Sequence, residues 1–277
     1  MRKIFFILLL YSINLISQTP MVTFTLGTKY REAEITFVDK HIEKGYIYGF
    51  IDNRAIEFDL NFLSEFSSIE TRLNLTDESF DFKKSLEEKP TKLKSKDIVE
   101  IKLTNYDGKL EYWKLMDLKT VNSKGEIIDL HKKTWLPILK TGKVNLFSIN
   151  IISRKKYAYT ISYLNNSNDN FAINPINFNL LDIFNFNKIN EKMIFVLKEV
   201  FKDCPEYLKN FDNNPNTFLE KYFKTRQEMK NDEKELKEST ENLPKNERKQ
   251  LEMEMKSKFF TDPYLKLIDE YEKTCPN

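Results

Sequence analysis

Glycine and cysteine are both scarce in this 277-residue chain, with six and two residues respectively. No P-loop and no G-x-G-x-x-G fingerprint occurs, so nucleotide binding has no support. Histidine is equally rare. His41 and His131 are the only two, H-E-x-x-H is absent, and the two cysteines are far apart in sequence, so no close-spaced set of zinc ligands exists. A nucleophilic serine needs a base within reach, and no G-x-S-x-G elbow is present. His131 follows Ile127, Ile128 and Leu130 and reads as the end of a strand. His41 lies between Lys40 and Glu43 in a polar turn and reads as solvated. These residues assign no catalytic, cofactor or metal site.

No apolar run reaches the roughly 20 residues that cross a bilayer as a helix. The longest is at the N-terminus, where Arg2 and Lys3 precede Ile4 to Tyr11, extended through Ile13 and Leu15 to Ile16. A short cationic start, an apolar core and a small Ser17 before Gln18 predict a secretory signal peptide over residues 1–17. The competing reading is a membrane anchor, which an apolar stretch of about a dozen residues, broken by Ser12 and Asn14, is too short to form. No cysteine stands near the cleavage point, which argues against a lipoprotein. The expected location is the periplasm or the exterior.

Charge of one sign is lacking too. The chain has 44 Lys plus Arg and 42 Asp plus Glu. Loss of Arg2 and Lys3 with the leader brings the basic count to 42, level with the acids. A balanced mature chain offers no general field for nucleic acid or anionic lipid. The remaining 260 residues, with 22 Phe and 13 Tyr in the whole chain, suffice for a packed core.

In an exported protein an even cysteine count points to a disulfide, here Cys204 to Cys275. Ile189, Met193, Val196, Leu197 and Val200 repeat at helical spacing, and Cys204 extends that stripe. Tyr264, Leu267, Ile268 and Tyr271 form a second stripe continued by Cys275, with Asp262 and Pro263 as its expected cap and first turn. The alternative is two separate buried thiols. The absence of C-x-x-C argues against a redox-active pair.

Residues 18–165 alternate with period two, which predicts an antiparallel β domain, barrel or sandwich. Val22 to Leu26, Ala33 to Phe37, and a hairpin of Gly45 to Ile51 with Ala55 to Leu60 come first. After a charged, less regular stretch from Asp77 to Lys96, Ile98 to Leu103 turns into Leu110 to Lys119, and Asn122 to Gly125 turns into Glu126 to Leu130. Val144 to Ile151 and Tyr157 to Leu164 complete the set. Recurring charges and a helical end argue against an outer-membrane barrel. Residues 166–187 form an Asn-rich linker or docking segment carrying Phe178, Leu180, Leu181 and Phe184. Residues 188–277 form a helical region, with Asn214-Pro215 starting a helix and a charged helical hairpin over Lys224 to Lys258 that breaks at Leu243-Pro244. The fold class is therefore α+β.

The leader ending Ile16-Ser17-Gln18, the run Gly142-Lys143-Val144-Asn145-Leu146-Phe147 and the run Phe201-Lys202-Asp203-Cys204-Pro205-Glu206-Tyr207-Leu208 together resemble exported proteins of Bacteroidetes-type bacteria that have no assigned activity. The resemblance covers short stretches and implies export and a body-plus-helix layout.

Two function classes remain. One is a non-enzymatic binding or envelope-interaction role, with an envelope protein or a glycan as partner. The other is an exported hydrolase, for example glycan-directed, using paired carboxylates that spacing cannot reveal. Trp113, among Tyr112, Leu115 and Met116, reads as core; Trp135, beside Leu136, Pro137 and Ile138, reads as packed at a strand edge.

Overall fold

In the computed structural model, residues 29–50, 78–104, 108–122, 124–153, 156–175, 186–213 and 215–276 are described. The leader, Val22 to Leu26, Ala55 to Leu60, and Phe178, Leu180, Leu181 and Phe184 lie outside them.

The alternating segments form ten strands: β1 (Arg31–Phe37), β2 (Ile42–Tyr48), β3 (Ser79–Lys83), β4 (Thr91–Lys94), β5 (Ile98–Thr104), β6 (Leu110–Val121), β7 (Ile127–Lys140), β8 (Val144–Ser153), β9 (Lys156–Asn166) and β10 (Phe171–Ile173). They run in the order β10-β9-β8-β7-β6-β5-β1-β2-β3-β4. The five strands from β6 to β10 close on themselves, because β10 also pairs with β6. Each consecutive pair is antiparallel, so the fifth strand points the same way as the first, and the closing pair is parallel. The length of β6 makes this possible: its N-terminal half, Leu110 to Lys114, pairs with β5, and Asp117 to Lys119 take β10. The body is a closed five-stranded barrel carrying a five-strand extension, which decides between the two β architectures left open by the pattern.

Several local expectations change. The edges of β2 at Tyr46 and Ile47 are taken by β1 and by β3, while Ala55 to Leu60, the expected second arm of its hairpin, lies outside the described residues. The stretch from Asp77 to Lys96 contains β3 and β4, and the buried alternation of Phe80 and Phe82 is what places β3 in the sheet. His131 does not end a strand. It lies inside β7 at a φ of 51°, where Leu130, His131 and Lys132 together oppose the single residue Leu118 and bulge the strand.

Five helices follow: α1 (Phe186–Val200), α2 (Pro205–Asn213), α3 (Pro215–Glu220), α4 (Arg226–Ser239) and α5 (Lys245–Thr274). Thr225 caps α4 in a reciprocal capping box with Glu228. The chain breaks between α4 and α5 before Pro244, and Lys256 reaches back to Glu233 at 3.6 Å. Pro263 does not start a helix as its sequence context predicts. It sits inside the 30-residue α5, although an interior proline costs about 3 kcal/mol. Packing outweighs that cost, since Thr261, Pro263, Tyr264, Leu267, Ile268 and Tyr271 are all buried along this one face. Near the proline, where the ladder loses a donor, the Ser162 hydroxyl donates to the Phe260 carbonyl at 3.4 Å.

Two apolar cores lie on the two faces of the barrel wall. Strand alternation sorts them: Phe147, Tyr163 and Ala172 point into one, while their neighbours Leu146, Leu164 and Ile173 point into the other. The first core joins the barrel interior to the extension through Trp113, Trp135, Phe50, Phe80 and Ile101 and, among the described residues, contains none from a helix. The second is the outer barrel surface covered by α1, α2, α3 and the C-terminal half of α5.

Candidate functional site

Cys204 lies in the turn between α1 and α2, directly before Pro205, and Cys275 follows the last turn of α5. The helical stripes bring them together, with Sγ atoms 2.00 Å apart and Cα atoms 6.2 Å apart. Cys204 is buried and Cys275 half-buried. Around them Phe201, Tyr207, Phe211 and Tyr271 pack edge-to-face or tilted, and the Tyr207 hydroxyl donates to the Leu267 carbonyl at 3.0 Å. Burial pushes the Tyr207 and Tyr264 hydroxyls far above the ordinary tyrosine range, so both stay neutral.

A polar network ties this seat to the barrel. Lys143 Nζ donates to the Cys275 carbonyl at 2.6 Å. The buried Asn166 amide donates to the Val200 carbonyl at 3.1 Å and to Asp203 at 2.8 Å, and Asn168 adds a second bond to Asp203 at 2.9 Å. Those two amides hold the Asp203 carboxyl below its usual range. Asn165, also buried, receives from Asn145 and donates to the Asp169 and Phe171 carbonyls, which bends the chain from β9 into β10. Lys202 bridges Asp169 and Glu199. Sequence reasoning missed this network. Its only trace was the asparagine enrichment on both sides of the β9–β10 turn.

On the far side of the molecule, the outward face of β1 to β6 carries cross-strand rows of mixed charge and tyrosine. Lys44 pairs with Glu34 at 3.0 Å and Lys92 with Asp81 at 2.9 Å. Tyr30 packs at a tilt against Tyr48 with ring centroids 5.4 Å apart, Lys83 lies over the Tyr30 ring, and Lys102 lies over Tyr112. These are the cross-strand pairs that stabilise a solvent-facing sheet.

The remaining candidates fall apart chemically. His41 stacks on Phe37 with centroids 4.1 Å apart, and its Nδ1 meets Asp39, whose carboxyl it holds below the usual range. His131 is far from His41 in the sheet and exposed; its backbone N–H donates to Asp129 at 2.7 Å, and its Nδ1 lies 3.6 Å from the same carboxylate. Trp113 is core, and Trp135 is core as well rather than at an edge, being fully buried with Nε1 donating to Ser95 Oγ at 3.0 Å. Among the described carboxylates, Asp262 alone is held above its usual range. Burial raises it, and its charged neighbours are Lys258, Lys266 and Lys224 rather than a second acid. No group of three or more His, Cys, Asp or Glu able to hold a metal occurs among the described residues, and no described helix is long and apolar enough to cross a membrane.

No protein-family model, curated protein or solved structure matches the chain.

Proposed function

We propose that the chain is exported from the cytoplasm and acts outside it as a non-enzymatic binding protein of the cell envelope. The observation that carries this reading is the cysteine pair at bonding distance inside the helical core, which suits an oxidising compartment. The Arg2-Lys3 start with its apolar core and Ser17 supports the same compartment. The partner is an envelope protein or a glycan. Asp262, a carboxyl raised by burial among the described residues, has lysines rather than a second acid as its charged neighbours, which weighs against the glycan-hydrolase alternative.

Fractionation of the native source, followed by N-terminal mass spectrometry and non-reducing electrophoresis, tests the compartment. The expected result is a chain beginning at Gln18, outside the cytoplasm, without free thiols. Crosslinking and capture from the envelope tests the activity. A cytoplasmic chain starting at Met1 would overturn the export reading, and turnover of a glycan or peptide substrate would overturn the binding reading.

A further inference from the structure

We infer that the Cys204–Cys275 bridge is a redox-sensitive latch that sets how often the helical region opens while leaving the barrel closed. Three observations carry it. The two apolar cores are separated by the barrel wall, and among the described residues the inner one contains none from a helix. The five described helices all follow β10 in sequence, so one stretch of chain joins them to the barrel. Both cysteines belong to the helical region, and the loop they close, 71 residues in separation, spans α2 to α5, with α1 just outside it. The bridge therefore restricts the unfolded helices alone. Inner-core stability does not depend on it.

A dithiol serves as the reductant. Its thiolate attacks the more accessible Cys275 sulfur, the S–S bond breaks, and the Cys204 thiolate leaves and takes up a proton. The second thiol of the reductant then displaces Cys275. The reductant ends as a cyclic disulfide, and the protein gains two electrons and two protons. Loss of a loop of this size favours opening by about a thousandfold, roughly 4 kcal/mol at 1.4 kcal/mol per decade. On the export reading proposed above, and only on it, the latch stays open in the reducing cytoplasm and closes after export.

Native-state hydrogen exchange on the full chain tests the latch, with the bridge intact, with the protein reduced and alkylated, and in the Cys204→Ser/Cys275→Ser variant. In both bridge-free forms, amides of α1, α2 and the C-terminal half of α5 should exchange about a thousandfold faster. Amides of Ile101, Trp113 and Trp135 should keep their rates. Equal acceleration in both cores, no acceleration in either, or loss of the whole fold on reduction would each overturn the inference. Cytoplasmic localisation would instead sink the export proposal and leave these rates untouched.

Discussion

Trp135 offers the sharpest test of how the inner core is built. Its side chain has no exposed surface, it meets Phe50 edge-on with centroids 5.2 Å apart, and its Nε1–H reaches the buried Ser95 hydroxyl at 3.0 Å. Trp135→Ala removes the packing and the hydrogen bond together and should cost about 3–5 kcal/mol, set by how far the site can collapse. That is about a fifth or more of the roughly 5–15 kcal/mol typical of a domain. Trp135→Phe keeps most of the ring but removes the indole N–H donated to Ser95, so part of its cost is the roughly 0.5–1.5 kcal/mol of that hydrogen bond. In a double-mutant cycle with Ser95→Ala the two positions should couple by about 1 kcal/mol. Urea unfolding followed by far-UV circular dichroism measures the native chain, Trp135→Ala, Trp135→Phe, Ser95→Ala and the double variant. If Trp135→Ala cost less than about 1 kcal/mol with an unchanged urea slope, Trp135 would not be a core residue and the assignment of β7 would fail.

Other substitutions probe other parts of the fold. At Gly45 a Cβ would stand 2.2 Å from the Lys83 carbonyl and 2.7 Å from the Phe82 ring, so Gly45→Ala should force β2 and β3 apart and cost about 2–3 kcal/mol in a thermal melt. Gly142→Ala meets only the Glu272 carboxylate, which can swing away from Lys140, and should cost less than about 1 kcal/mol. Asn166→Ala leaves the Val200 carbonyl without its amide and should cost about 1–3 kcal/mol. It should also raise the Asp203 pKa measured by NMR. In the native protein this depressed carboxyl contributes stability present above the ordinary aspartate range and lost as pH falls through its folded value; the variant should lose less on acidification. Asp262 has the opposite sign: its raised folded pKa makes the charged form a burden that is relieved as pH falls. Asp262→Asn should therefore raise the melting temperature at pH 7, with the gain shrinking as the native carboxyl protonates.

Sequence alone determined the α+β class and most strand and helix identities, because periods of two and of 3.6 report which face of an element meets apolar neighbours. Ala33 and Ile35, Ile101 and Leu103, Trp113, and the stripe of Tyr264, Leu267, Ile268 and Tyr271 are legible for that reason, and all are buried. Tertiary structure decided what periodicity cannot express. Closure of the barrel rests on β10, three residues whose pairing with β6 lies about 50 positions away in sequence. Alternation tells which residues share a face but not what lies on the other side of the wall, so the split into an inner and an outer core was invisible until the helices were in place. Pro263 reads locally as a helix start, and the local rule lost to the burial of one long face of α5. The asparagine network around Asp203 joins residues far apart in the chain, and hydrogen-bond geometry of that kind leaves only a compositional trace.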